Sequence, residues 1–459
     1  MSKLTSLNPS NNYEVIGSVD ASTKKDVEEA VKNAHFAQIK WADLTLEDRC
    51  KKLESFVQVS INRADEIAIL IAKETGRPLE SAKDNVKGGI TYFNDYLKSA
   101  KKHLAPKITL ETDTEIHRVY REPLGVVACI CPWNYPFMNV VWQCGQALIA
   151  GNTVVYKNSE ENPLFAKLLA ELFAESDVPG GVFNVVYGDG KVGEWLVESE
   201  INMISFTGST KTGRKLTKIA GDKYIPIVTY LGGSAPMIVL DDIEVTNKLI
   251  EFIWSRRFKN AGQACDAVKR LIVHKSKFNE IVNLLRIKVA SKKMGNALNA
   301  NTDIGPLISK KQLIKLEKQV KDAKEKGAKI IIGGNRSNKL KGSYYEPTLI
   351  IDVNQDMKIW QEEVFGPVLP IISFDTDVEA INLANDTEYG LGAHVMTNNK
   401  NRFTKIAKSL KSGMVAQNEV MYWHPSNPFG GYKHSGMGRI HGEYGFNEVT
   451  QVKLISEQR

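Results

Sequence analysis

The run Asn260-Ala261-Gly262-Gln263-Ala264-Cys265 brings small residues up to a single cysteine, and small neighbours leave a thiol accessible. A thiolate is the form of cysteine that attacks carbonyl carbon and carries acyl groups. Most cysteines are small buried hydrophobes instead, and Cys129, Cys131 and Cys144, set among apolar residues, fit that description. Cys265 stands apart because of Cys131-Pro132-Trp133-Asn134-Tyr135-Pro136, which follows an apolar stretch. Asn134 is thereby expected at the carboxyl end of a buried strand, where α/β proteins gather their sites. Its amide and a backbone N–H could together hold an oxyanion. A third motif, Phe206-Thr207-Gly208-Ser209-Thr210, joins a strand to a helix. It is either an ordinary turn or a pyrophosphate site at a helix N-terminus. The Gly208–Gly213 spacing mimics half a P-loop, but Arg214-Lys215 follows and no magnesium partner is evident.

Short apolar runs alternate with helical patterns around these residues. Strands are expected at Val126–Cys131, Val154–Lys157, Phe183–Tyr187, Met203–Phe206 and Ile227–Leu231, with a helix at Phe165–Phe173 between two of them. A second series begins at Pro236–Leu240 and continues through Arg270–His274 and Ile330–Gly333. Buried strands alternating with helices imply α/β architecture with parallel, doubly wound sheets. Two such domains are expected, joined near 231–236. Ahead of them, 22–37 reads as a helix with a Thr23/Asp26 capping box, and Glu66–Lys73 as another. Residues 107–121 alternate and read as extended strands with one wet face.

With 459 residues the chain is long enough for two or three domains. The 60 basic residues exceed the 53 acidic ones only slightly and are interleaved with them, which argues against nucleic acid. The five cysteines are odd in number, with no disulfide or zinc spacing. The amino terminus lacks an apolar leader and no run of about 18 apolar residues occurs. A cytoplasmic protein without metal or membrane contact is expected.

At this point the chain resembles the aldehyde dehydrogenase superfamily over about residues 7–455. The resemblance rests on Pro132-Trp133-Asn134, residues 150–157, Phe206–Thr210, Leu231-Gly232-Gly233 and Gly262–Cys265. Residues 362–368, 384–391 and 428–436 complete it, in the family's order. It is closest to the compact succinate-semialdehyde dehydrogenase-like branch. The resemblance implies a Rossmann-type NAD(P)-binding domain (1–105 and 124–231), an α/β catalytic domain (232–435), and a β bridging element (106–123 with 436–459). It also implies a homodimer or homotetramer. Cys265 would be the nucleophile and Asn134 its oxyanion partner. Trp133, Lys157, Glu160, Gly208, Ser209, Leu231, Glu363 and Phe365 would contact the cofactor, Lys157 and Glu160 at the adenosine ribose and Glu363 at the nicotinamide ribose. A carboxylate at Glu160 would repel a 2′-phosphate, favouring NAD while leaving NADP open.

The chain also departs from the family pattern. The residue before Leu-Gly-Gly, normally the glutamate base for thioester hydrolysis, is Tyr230, and a phenol of pKa about 10 accepts a proton poorly at neutral pH. A second carboxylate is missing where Ile440 follows Gly436-Met437-Gly438-Arg439. In the substrate pocket Trp142 and Lys259 stand where the semialdehyde enzymes have arginines, and Tyr422-Trp423 add aromatic wall. Oxidation of succinate semialdehyde or a bulkier apolar aldehyde to the acid is expected, with deacylation in question. The alternatives are an acylating dehydrogenase that uses a thiol acceptor, and a catalytically impaired binding protein.

Overall fold

The computed structural model describes residues 2–459. Val126–Ile130 (VVACI) is buried at every position and forms the middle of a six-stranded sheet. Thr153–Lys157 and then Phe183–Val186 pair parallel on one side of it, Met203–Thr207 and then Ile227–Tyr230 on the other. β-Branched residues fill these strands because both faces are covered, leaving no reason for alternation. Lys24–Asp43 covers one face with Val27, Val31 and Ala34, its start fixed by the Thr23/Asp26 capping box. Leu79–Leu104 and Pro163–Ala174 pack into the core on the other. The strand order reverses at Val126–Ile130, so a crevice opens between its carboxyl end and that of Met203–Thr207. The Pro132-Trp133-Asn134 loop and the Gly208–Ser209 turn both leave the sheet there.

A seven-stranded sheet holds the second core in the order Lys329–Ile332, Thr348–Ile351, Val368–Phe374, Val268–His274, Ala235–Val239, Gly392–Met396, Met414–Gln417. Only its first pair is antiparallel. Leu231–Ser234 joins the end of Ile227–Tyr230 to the start of Ala235–Val239, and the Cys265 loop enters Val268–His274. The amino ends of the second sheet thus face the carboxyl ends of the first.

Lys107–Glu111 and Glu115–Pro123 are extended and join Thr450–Gln458 in a three-stranded antiparallel sheet, registered from Thr450↔Pro123 to Gln458↔Glu115. The rest of the tail lies elsewhere. Gly436–Met437 adds to the six-stranded sheet antiparallel to Ile227–Tyr230, with Gly436 opposite Tyr230. Gly442–Glu448 packs on Leu79–Leu104. No helix among the described residues is long and apolar enough to cross a membrane.

Candidate active site

The helix Asn247–Phe258 stops before Lys259, and the chain then takes three successive left-handed residues, Asn260, Ala261 and Gly262 (φ 53°, 52° and 72°). Such a conformation at alanine costs about 1–2 kcal/mol, and side-chain bonds hold it in place. Asn260 Nδ2 donates to the Asn134 carbonyl (3.1 Å), Gln263 Nε2 to the Asn260 carbonyl (3.1 Å), and the Ile308 N–H to Gln263 Oε1 (3.0 Å). Arg77 Nη1 also donates to the Asn134 carbonyl, at 2.8 Å. Asn134 Nδ2 donates in turn to the Gln263 carbonyl (3.1 Å), two residues from Cys265. The cysteine loop and the Pro-Trp-Asn loop are thereby stitched together, and the second amide hydrogen of Asn134 has no partner assigned.

Cys265 is half-buried and its thiol is pushed up to about 12, first by burial and then by Asp266, with Lys269 pulling the other way. Near neutral pH Cys265 therefore rests as a neutral thiol. Asp266 is locked: its Oδ2 accepts from Trp423 Nε1 (2.8 Å), Arg256 Nη2 (3.0 Å) and the Tyr422 hydroxyl (3.1 Å). Lys269, 1% exposed, donates to the carbonyls of Gly233 and Cys265 (2.8 Å each) and to Glu363 Oε1 (2.5 Å).

A cavity of about 450 Å³ contains Cys265, Asn134, Trp133, Trp142, Gly208, Ser209, Tyr230, Leu231, Glu363, Phe365 and Trp423 in its lining. At one end Ser209 caps the helix Thr210–Lys223, its hydroxyl accepting from the Thr212 N–H at 3.3 Å. Gly208 is bare of a side chain there, and the Gly233 N–H donates to Glu363 Oε1 at 3.0 Å. A Cβ on Gly232 would stand 2.6 Å from Glu363 Oε2, so that carboxylate reaches the cavity only across a glycine. Phe365 meets Trp133 edge-on, ring centres 5.7 Å apart. A glycine turn at a helix N-terminus, a carboxylate and two aromatic rings along one crevice fit a nicotinamide dinucleotide.

The other end is aromatic. Trp142 sits in a single turn of π-helix, Val141–Gly145, of the kind often found at functional sites. Its ring centre lies 5.0 Å from Phe429, 5.6 Å from Tyr92 and 4.8 Å from His441. Tyr230 is 3% exposed beside Phe429, and burial, aided by Glu448, drives its phenol well above its ordinary range. The Tyr230 hydroxyl, Tyr92 hydroxyl, Trp142 Nε1 and His441 Nε2 are buried without a hydrogen-bond partner. His441 holds a backbone conformation that glycine favours (φ 73°, ψ 156°), pairs its Nδ1 with the Tyr96 hydroxyl, and is pushed down to about 3 by burial.

Four expected site residues lie outside or behind this cavity. Lys157 is buried with Nζ on the Asn158 carbonyl (2.9 Å), and Glu160 is exposed just beyond, both past the end of Thr153–Lys157. Lys259 is exposed and lines an adjoining cavity, while Tyr422 backs Asp266. Asp266, Arg256, Lys269, Tyr92, Phe429 and His441 were not anticipated. Only Asp266, directly after the cysteine, carried a local signal. No group of three potential metal ligands occurs among the described residues.

Two α/β sheets meeting end to end over a half-buried cysteine and an asparagine amide define an oxidoreductase of aldehydes. The chain belongs to the aldehyde dehydrogenase family, whose model matches residues 2–455. It is 35% identical over 444 residues to the mitochondrial succinate-semialdehyde dehydrogenase of Oryza sativa subsp. japonica, covering 96% of this chain and 84% of that one. It is 37% identical to the peroxisomal aminoaldehyde dehydrogenase 1 of Pisum sativum, covering 99% and 92%. The NAD+ complex of an aldehyde dehydrogenase from Bacillus cereus superposes with a TM-score of 0.96 at 32% identity, covering 100% of this chain and 93% of that one. The protein is an NAD(P)-dependent aldehyde dehydrogenase.

Proposed function

We propose that the protein oxidises its aldehyde to the acid through a thioester on Cys265, and that hydrolysis of this thioester limits turnover. The observation that carries the reading is the sharing of one cavity by Cys265, Asn134, Glu363 and the Gly208–Ser209 turn. The Cys265 thiol gives its proton to solvent, its sulfur bonds to the aldehyde carbon, and the carbonyl π pair moves onto oxygen. The Asn134 amide and the Cys265 N–H hold the resulting oxyanion. Glu363, Phe365 and Trp133, which line the cavity, would hold the nicotinamide end of NAD(P)+, which when bound would accept the aldehyde hydrogen as hydride. Collapse of the oxyanion leaves an acyl group on sulfur, and water must then add to it while a base takes a proton. Tyr230 stands at the place for that base, yet its burial keeps the phenol protonated. Lys157 and Glu160 serve the adenosine ribose in this reading, and Glu160 favours NAD over NADP.

The uncharged aromatic wall around Tyr230, which offers no proton acceptor at neutral pH, also favours a second reading, in which a thiol acceptor takes the acyl group and no water base is needed. Trp142, Trp423 and Tyr422 shape the substrate side, with Lys259 at its rim. The free cysteines suit a cytoplasmic, reducing setting. The exposed apolar Val452 and Leu454, on one face of the edge strand of the outer three-stranded sheet, support a homodimer or homotetramer. Pre-steady-state NADH formation tests the main reading: a burst of one NADH per site, then slower sustained turnover, is expected. A burst followed by a complete stall that coenzyme A relieves would favour acyl transfer. No burst with any aldehyde, together with an unreactive Cys265, would leave only a binding protein.

A further inference from the structure

Arg77 lies in Gly76-Arg77-Pro78, the short link between the helices Ala64–Thr75 and Leu79–Leu104. The link is stiff. Gly76 is left-handed (φ 73°), and a Cβ there would stand 2.5 Å from Pro306. Arg77 precedes a proline, which disfavours helical backbone, and its N–H donates to Thr75 Oγ1 at 3.3 Å. The side chain is fixed as well. Its Nε donates to Ser81 Oγ (2.9 Å) and to the Ser81 carbonyl (3.1 Å), and the guanidinium carbon lies 4.0 Å from the Tyr135 ring centre. Arg77 is 4% exposed, and none of these partners is a carboxylate. A buried cation without a counter-ion is costly, and here the cost falls beside Asn134.

Four side-chain contacts hold Asn134, and the one from Arg77 is the shortest. Arg77 Nη1 and Asn260 Nδ2 share the Asn134 main-chain carbonyl at 2.8 and 3.1 Å, and Asn260 divides its amide with the Gln263 carbonyl at 3.3 Å. On the side chain, Oδ1 accepts from Asn139 Nδ2 (3.5 Å) and Nδ2 donates to the Gln263 carbonyl (3.1 Å). These two neighbours settle which amide atom is which and leave one Nδ2 hydrogen over. Asn260 and Gln263 belong to the cysteine loop, and Asn139 to the helix Pro136–Val140 that directly follows Asn134. Among the described residues Arg77 alone comes from a separate part of the chain. Its charge-assisted bond fixes the planar Asn134–Tyr135 peptide, and its stacking fixes the ring of the next residue. The direction of the Asn134 side chain follows from that plane.

On the reading of Asn134 as the oxyanion donor, we propose that Arg77 is a positioning residue for acylation. It moves no proton and touches no reacting atom. It holds the spare Asn134 amide hydrogen where oxygen gains charge as the Cys265 sulfur bonds to the aldehyde carbon. A misplacement of about 1 Å at such a donor costs on the order of a hundredfold in rate.

The test is rapid-mixing NADH formation on the full-length protein with NAD and succinate semialdehyde. Arg77→Met should slow the burst about 10- to 100-fold, with KM for aldehyde and NAD changed by less than about twofold. Arg77→Lys keeps the charge but not the planar fork, and should recover part of the loss while staying at least about threefold slow. In an Asn134→Ala background, Arg77→Met should slow the burst by less than about twofold more, because it acts only through that side chain. Alkylation of Cys265 by iodoacetamide forms no oxyanion and should keep its wild-type rate in Arg77→Met. Burial, Asp266, Lys269 and Glu363 bear on that thiol, and Arg77 does not. An unchanged burst in folded Arg77→Met, alkylation slowed in step with the burst, or effects of Arg77→Met and Asn134→Ala that multiply would each overturn the proposal. Should Arg77→Met fail to fold, Arg77→Lys decides: a slowed burst with normal alkylation supports the proposal, and a wild-type burst overturns it. Failure of the Asn134 reading is distinguishable and overturns the proposal with it: Asn134→Ala would then leave the burst at the wild-type rate.

Discussion

On the side of Cys265 that faces Lys269 and Asp266, the two charged groups nearest the thiol are well bonded. Lys269 donates to two carbonyls and to Glu363, and Asp266 Oδ2 receives an arginine, a tyrosine and a tryptophan. On the side that faces Tyr230, Tyr92, Trp142, Tyr230 and His441 bring four buried polar atoms together and none is bonded. A low-dielectric interior rewards fixed charges that are paired and penalises polar atoms that are not. The first wall can therefore hold the charge that develops as sulfur attacks. The second is uncharged, and in the proposed mechanism it is the wall beside which water would add to the thioester. In the proposed mechanism acylation draws on the bonded wall and hydrolysis on the unbonded one.

The largest blow to the polar side is Cys265→Ala, which should remove NADH formation by roughly 10³-fold or more, burst included. Asn134→Ala should slow the burst by about 10²–10³-fold, because one of the two oxyanion donors is lost while the thiol remains. Rapid mixing at 340 nm reads both. If Asn134→Ala slowed only the steady phase, the polar wall would not be the acylation wall. On the unbonded side, Tyr230→Glu should raise steady turnover about tenfold or more without enlarging the burst, since a carboxylate restores a base. An unchanged steady rate would show that the unbonded wall does not limit hydrolysis.

The thiol supplies a pH test. Below about 12 the thiolate fraction rises tenfold for each pH unit, so alkylation of Cys265 by iodoacetamide should climb steadily from pH 7 to 10. Asp266→Asn removes a negative neighbour, lowers the thiol's pKa and should bring the same rate at a lower pH. A flat alkylation profile would contradict the neutral thiol. The smallest effect is on stability. Tyr230→Phe removes a hydroxyl with no partner and should change unfolding free energy by less than about 1 kcal/mol, whereas Lys269→Met breaks a buried pair and should cost about 3–5 kcal/mol. Denaturant melts distinguish them.

Much of this architecture was legible from sequence for a physical reason. Fully buried parallel strands must be apolar throughout, and Val126–Ile130, Thr153–Lys157 and Met203–Thr207 read that way. Cys265 and Asn134 were legible because each sits in a distinctive short loop. The network around Asp266 was not, because its partners lie 10, 156 and 157 residues away and no local pattern links them. His441 was equally hidden: nothing in Arg439-Ile440-His441 reveals a strained backbone or an aromatic cage. The sequence also could not divide the tail, where Gly436–Met437 and Thr450–Gln458 join different sheets on either side of the helix Gly442–Glu448.

That division of the tail bears on synthesis. Ile227–Tyr230 acquires its outer neighbour, Gly436–Met437, only after about two hundred further residues have been made. Until then the strand ending in Tyr230 is an open edge on a nascent chain, offering unpaired backbone to any extended segment nearby. A ribosome-bound chain ending before Gly436 should therefore be aggregation-prone and chaperone-dependent, even with every residue of the Cys265 loop already in place.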